Sequence, residues 1–145
     1  MSVFQARNIE NQDVAPPTYT RVTNYGTYAV YDTDQWEGFA EFYVFENEDL
    51  SSGTGSHRSD AGFVQWGYRA GRYIPYIRYE RAALQQSDPY FAAQLHGQSY
   101  YRDALGLRFD IDVKSALKVE FANTQFTDRH RVDFGEALLQ YAIRF

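Results

Sequence analysis

Residues 104–121 read ALGLRFDIDVKSALKVEF, and apolar residues alternate with charged ones on both sides of the short break VKS. Such alternation is typical of β-strands, whose successive side chains point to opposite faces. A three-residue turn at VKS sets Asp110 opposite Lys118. It also sets Arg108 opposite Glu120, so both cross-strand pairs join unlike charges, which is favourable. The stretch therefore predicts two antiparallel strands with one apolar and one charged face.

The same two-residue period recurs along the chain, and no stretch shows a convincing helical pattern. The strands that it predicts are 18–31, 36–46, 61–70, 73–84, 103–112, 116–126 and 134–145, with a weak additional strand near 2–8. A turn at 71–72, with glycine first as a type II′ turn prefers, pairs Trp66 with Ile77. It also sets Tyr76 across from Gly67, where the ring would cover the bare backbone.

The connections between these strands alternate between short and long. The short ones are 32–34, 71–72 and 113–115, and the long ones are 47–59, 85–102 and 127–133. In an antiparallel meander, successive connections lie at opposite ends of the sheet. All the short turns therefore lie at one end, an asymmetry that is typical of outer-membrane β-barrels.

The composition excludes several classes of protein. A net charge of −5 argues against non-specific nucleic-acid binding, and the lack of Cys excludes disulfides, thiolate metal sites and Cys nucleophiles. No stretch approaches the ~18 to 20 consecutive apolar residues of a membrane helix, and no secretory signal is visible. Aromatic residues make up 18% of the chain, with thirteen Tyr, which suits a boundary between apolar and wet surroundings.

Two interpretations fit strands that have one apolar and one charged face. In a soluble barrel the apolar face is the core, whereas in a membrane barrel it meets lipid and the polar face lines the lumen. Large aromatic residues near strand ends favour lipid contact: Trp36, Tyr68, Tyr141 and Phe145. The strands also run to about ten residues, close to the ~9 to 11 that a tilted strand needs to cross a bilayer. We therefore expect a transmembrane barrel.

The C-terminal strand resembles the assembly signal of Gram-negative outer-membrane β-barrels. The matching residues are Leu139, Tyr141, Ile143 and Phe145. With RYIPYIRYER at 72–81 and DPYF at 88–91, residues 36–145 resemble the C-terminal part of proteobacterial porin-like proteins. The resemblance implies that the outer-membrane assembly machinery reads this strand. It also implies that the short turns face the periplasm and the long loops face outside.

We therefore expect residues 1–145 to form one all-β domain, an antiparallel up-and-down transmembrane barrel of seven or eight strands, with 1–16 weakly structured or a partial first strand. Because such barrels have even strand numbers from eight upward, and because no export signal is visible, we favour a C-terminal segment of a larger barrel. The expected function is passive diffusion of small hydrophilic solutes across the outer membrane of a Gram-negative bacterium. The alternatives are a small closed outer-membrane barrel with a structural or surface-interaction role, and a soluble ligand-binding barrel.

The expected partners are the lipid bilayer, lipopolysaccharide, the assembly machinery and small hydrophilic solutes, and a homo-oligomer is left open. We expect no nucleic-acid partner, no cofactor, no metal and no catalysis. The polar face supplies the expected lumen lining: Arg69, Arg78, Glu80, Arg108, Asp110, Lys118, Glu120 and Arg144. Rings of charge set pore selectivity, but the expected pairing of Arg108 and Lys118 with carboxylates cancels much of their field, whereas Arg69 and Arg78 stay open as groups that attract anions.

The loop 85–102 is long and aromatic, and a loop that folds inward can narrow a pore. Its candidates for a constriction are Asp88, Tyr90 and Phe91. The alternative is a surface cap that packs on itself.

The three histidines, His57, His96 and His130, all lie in predicted long loops. A hydrolase triad with Ser56, Ser59, Ser99 or Asp128 is conceivable, but nothing in the sequence fixes its geometry, and we interpret these histidines as surface residues.

Overall fold

The computed structural model describes residues 2–11, 18–51, 53–92, 97–127 and 132–143, and it places eight strands in one antiparallel sheet. The strands are β1 (Ser2–Asn11), β2 (Thr18–Asp32), β3 (Trp36–Asp49), β4 (Ser56–Tyr68), β5 (Tyr73–Ala83), β6 (Tyr100–Asp110), β7 (Ser115–Phe126) and β8 (Phe134–Ile143), with one helical turn, α1 (Pro89–Ala92), between β5 and β6. Each strand pairs with its neighbours in chain order. The all-β, antiparallel, up-and-down architecture is therefore confirmed.

The sheet is open. Within the described ranges, β1 pairs only with β2 and β8 pairs only with β7, so each has a free edge. Close to the first edge, Tyr28 is 68% exposed and Val30 is 59% exposed. The closed eight-stranded ring of the first alternative requires β1 to pair with β8, and the described residues contain no such pairing.

The sheet curls so that its charged face is concave. Arg108 on β6 donates two hydrogen bonds to Glu37 on β3, at 2.9 and 3.0 Å. Two strands lie between them, so in a flat sheet their backbones would be about 14 Å apart. Only strong curvature toward the charged side allows this contact.

The connections follow the expected asymmetry. The short ones, 33–35, 69–72 and 111–114, lie at one end, and the longer ones, 50–55, 84–99 and 127–133, lie at the other. The hairpin register expected around Gly71 is confirmed, because Trp66 pairs with Ile77 and Gly67 pairs with Tyr76. Gly71 has a φ of 66°, which is the left-handed conformation that this turn requires.

The expected register of the β6–β7 hairpin is wrong by two residues. Arg108 pairs with Lys118 instead of Glu120, because the last pair of the hairpin is Asp110 with Ala116, which leaves five residues in the loop rather than three. Asp112 accepts a hydrogen bond from the Lys114 backbone N–H at 2.7 Å, which closes a local turn. This N–H is the main reason that the pKa of Asp112 lies below its ordinary value. A shift of two keeps every side chain on its face, so alternation alone could not detect it.

The two like charges that this register brings together are neutralised along their own strands. Arg108 Nε lies 2.9 Å from Asp110, and Lys118 Nζ lies 3.0 Å from Glu120. The ion pairs expected across the hairpin are therefore replaced by pairs two residues apart on each strand.

Tyr76 covers a different glycine from the one expected. Its ring lies over Gly106, its partner on β6, where a Cβ atom would collide with the ring. The space at Gly67 is instead bordered by Glu37 and Ile74. The ring turns toward β6 because Glu120, beyond Gly106 on β7, accepts a 2.6 Å hydrogen bond from the tyrosine hydroxyl.

Candidate functional site

The apolar residues of the alternating pattern lie on the exposed convex face. Leu139 is 72% exposed, Ile77 63% and Phe121 62%. Other large apolar residues of this face are Phe42, Val64, Leu105, Leu107, Tyr141 and Ile143. The convex surface thus carries a continuous apolar belt from β3 to β8.

An aromatic cluster borders this belt at the short-turn end. The Trp36 and Tyr68 rings meet edge to face at 4.8 Å, and Tyr31 stacks on Trp66 at 5.2 Å. Further along the same end, the Tyr73 ring contacts Phe109 at 4.9 Å. Amphipathic rings in such a row are typical of the girdles of membrane barrels.

Charged residues border the belt at the long-loop end. On the convex face of β3 the apolar positions run from Trp36 to Val44 and then give way to Glu46 and Glu48, which face Arg58 and Arg21. At about 3.3 Å per residue the apolar part is about 26 Å long, which corresponds to a height of about 20 Å for a strand tilted as in membrane barrels. This height is similar to the ~25 Å apolar band of outer-membrane barrels.

The concave face holds a buried ion-pair cluster centred on Glu37, which is 1% exposed. Arg108 binds it through both terminal nitrogens, and Arg69 lies 3.3 Å from it. Each arginine has a second carboxylate, since Arg69 lies 2.6 Å from Asp32 and Arg108 lies 2.9 Å from Asp110. Two cations and three carboxylates thus share the short-turn end of the concave face.

A second cluster forms around Arg102, which the sequence pattern assigned to a loop. Its guanidinium lies 2.5 Å from Glu136, 3.6 Å from Glu120 and 4.0 Å from Glu80. Arg102 belongs to β6, which begins at Tyr100 rather than at 103. The even-numbered alternation of β6 already extends back to this residue, so the pattern could have found it.

Arg78 lies beside this second cluster. Its Nε atom is 2.7 Å from Glu80 but is not aligned for a hydrogen bond, so the contact is electrostatic. Its guanidinium lies over the Phe63 ring, 4.3 Å from the centroid, which is cation–π distance. Arg78 is therefore held on the concave face by the Glu80 carboxylate and the Phe63 ring.

The expected lumen-lining residues that can be described all lie on the concave face. They are Arg69, Arg78, Glu80, Arg108, Asp110, Lys118 and Glu120. Arg144 and Phe145 lie outside the described residues. Of the expected assembly signal, Leu139, Tyr141 and Ile143 lie on the convex face.

The loop between β5 and β6 reaches across the concave side at the long-loop end. Asp88 is fully buried, and it accepts hydrogen bonds from the Asn47 side chain at 2.7 Å and from the Tyr90 backbone N–H at 2.9 Å. Phe91 is buried, with its ring edge to face with Phe45 of β3 at 5.2 Å. The loop is thus anchored on β3, two strands from its own base.

The expectation that His57 is a surface loop residue is wrong, because His57 belongs to β4, is buried and contacts hydroxyl groups. Its Nε2 lies 2.9 Å from Thr54 Oγ1 and its Nδ1 lies 3.3 Å from Ser87 Oγ, while the Thr54 hydroxyl donates to Asp49 at 2.7 Å. These partners differ from the serines considered above. Among those, Ser59 and Ser99 instead bind the backbone N–H groups of 85 and 84. His96, Asp128 and His130 lie outside the described residues.

Within the described ranges, no group of three or more His, Cys, Asp or Glu side chains could hold a metal ion. No helix in this part of the chain is long and apolar enough to cross a membrane. The chain matches no protein-family model, no curated protein and no solved structure. The features of this chain that bear on function are therefore the two faces of its sheet.

Proposed function

We propose that this chain forms part of the wall of a porin-like channel in the outer membrane of a Gram-negative bacterium, where it allows passive diffusion of small hydrophilic solutes. The observation that carries the proposal is the polarity of the curled sheet, which is the reverse of that of a water-soluble barrel. Large apolar side chains cover its exposed convex face, whereas ionised groups such as Glu37 and Glu120 are buried on its concave face.

This inversion fits lipid contact better than water contact. Monomeric soluble proteins rarely expose apolar patches beyond a few hundred Å², and the belt crosses six strands. In a bilayer the same residues would be covered by acyl chains, and the charged concave face would border water. A soluble ligand-binding barrel would need the opposite arrangement, with the leucines and valines inside.

The free edges support the larger-barrel version of the proposal. Unpaired backbone groups at a sheet edge cannot stand in hydrocarbon without partners, so a membrane sheet must close. We propose that further strands pair with β1 and β8 and complete the ring, in line with the resemblance to the C-terminal part of porin-like proteins. The assembly machinery would then read β8, and lipopolysaccharide would contact the charged rim near Arg58.

The test is a planar-bilayer recording of the full-length gene product, which includes the strands proposed to complete the ring, refolded into detergent micelles and added to one side. We expect discrete conductance steps, with heat-denatured protein as the control. Circular dichroism must first show that the refolded sample is rich in β-structure. Folded protein that gives no steps would remove the transport function and leave the structural alternative. A sample that is monodisperse without detergent would remove lipid contact altogether.

The anchored β5–β6 loop gives a second prediction, because it lies across the mouth of the concave face. Replacing Phe91 by Ala removes the ring that packs on Phe45 and should loosen the loop. We expect larger and noisier single-channel steps from Phe91→Ala. The matched control is Phe42→Ala, which removes the same ring from the convex face and should leave the step size unchanged. Equal step sizes in both variants and the parent would mean that the loop does not narrow the path.

A further inference from the structure

The described part of the concave wall carries more carboxylates than cations. Between the short turns and the β5–β6 loop there are seven carboxylates and five cations. The carboxylates belong to Asp32, Glu37, Glu41, Glu80, Asp110, Glu120 and Glu136. The cations belong to Arg69, Arg78, Arg102, Arg108 and Lys118. The formal balance of this wall is therefore −2.

Each of these five cations lies within 4.0 Å of at least one carboxylate. The paired cations include Arg69 and Arg78, the two residues that the sequence analysis kept as candidates for attracting anions. A paired cation has little field beyond its partner, so none of them supplies a free positive site to a passing ion.

Glu41 differs from the other wall carboxylates of the described residues, because no cation there forms an ion pair with it. Its side chain accepts a 2.8 Å hydrogen bond from the Tyr43 hydroxyl. Its partners across the neighbouring strands are Tyr28 and Phe63, which are uncharged aromatic residues. Glu41 also lies near the middle of β3, away from both ends of the wall.

We propose that Glu41 gives the channel a preference for cations over anions. The inference rests on the proposed function and specifies its selectivity. A carboxylate whose charge is not cancelled lowers the energy of a cation in the adjacent water and raises that of an anion. In water, one unit charge at about 7 Å changes the local concentration of a monovalent ion about threefold. Seven ångströms is also shorter than the ~10 Å Debye length at 0.1 M salt, so the effect persists in dilute KCl.

The experiment measures the reversal potential of the full-length chain across a KCl gradient, with the dilute side near 0.1 M, and converts it to a K⁺/Cl⁻ permeability ratio. We expect a ratio above one for the parent protein. Glu41→Gln should lower this ratio several-fold, because the local K⁺ concentration falls and the local Cl⁻ concentration rises by up to about threefold each, while the Tyr43 hydrogen bond is kept by the amide oxygen. The matched control is Glu46→Gln, which removes a carboxylate from the convex face of the same strand and should leave the ratio unchanged.

The outcomes separate this inference from the function on which it rests. Conductance steps with a ratio of one or below in the parent, or a ratio that Glu41→Gln leaves unchanged, would overturn the role of Glu41 but not the channel. An equal fall of the permeability ratio in Glu41→Gln and Glu46→Gln would assign the preference to the overall charge of the protein. This result would also overturn the role of Glu41. No steps from any variant would overturn the channel, and the inference with it.

Discussion

Replacing Arg108 by Met is expected to lower the free energy of unfolding by about 3 kcal/mol, the lower end of the cost of breaking a buried ion pair by removing one partner. The substitution keeps most of the side-chain volume but removes both hydrogen bonds to Glu37. Glu37 is 1% exposed, so its carboxylate depends on its ion-pair partners rather than on water for stabilisation. Arg69, at 3.3 Å, is shared with Asp32 and compensates only in part. The measurement is a urea titration of the protein in lipid vesicles, followed by tryptophan fluorescence.

Two controls make this result specific to the buried pair. Arg58→Met removes an arginine that is 72% exposed and lies 3.8 Å from Glu46, so it should change stability by less than ~1 kcal/mol. The double variant Arg108→Met with Glu37→Gln should recover part of the loss, because no unpaired buried charge is left. Similar losses from Arg108→Met and Arg58→Met would show that Glu37 is not buried against Arg108.

The period of the sequence was enough to predict the strands and their two faces. Each alternating stretch assigns its own residues to a face without knowledge of its neighbours, which is why Leu107 and Arg108 could be placed on opposite sides of the sheet. The hairpin at 71–72 could be predicted as well, because a glycine-first turn and the parity of both strands select one register. The period does not reveal which of the two faces is concave, because that depends on the curvature of the whole sheet.

Features that depend on contacts between distant residues could not be predicted. Glu37 and Arg108 are 71 positions apart, and nothing local indicates that they meet. The β6–β7 register differs from the expected one because the loop holds five residues, and within it Asp112 accepts a local hydrogen bond that the alternation of the strands does not reveal. Glu41 was visible on the polar face, but its lack of a cationic partner follows only from where the five cations of the wall find theirs.

Replacing Leu139 by Arg is expected to destabilise the protein in a bilayer by about 2 to 4 kcal/mol, the cost of arginine near the middle of the lipid-facing surface of a barrel. Leu139 is 72% exposed on the convex face, and its neighbours there are the apolar residues Val119 and Tyr141. Among the described residues, no carboxylate lies beside it in the β7–β8 register to receive the guanidinium. The measurement is again the urea titration in lipid vesicles, for the full-length chain.

The adjacent residue provides the matched control, because one step along a strand reverses the face. Leu138 is 43% exposed, lies on the concave side and pairs with Glu120 on β7. Leu138→Arg therefore places the new cation on the half-exposed concave face beside a carboxylate, and we expect a change within about 0.5 kcal/mol, as for an ordinary surface substitution. In a water-soluble protein both leucines would face solvent, and both arginines would be tolerated. A cost at Leu139 that does not exceed the cost at Leu138 would therefore contradict lipid contact at the convex face, and with it the channel.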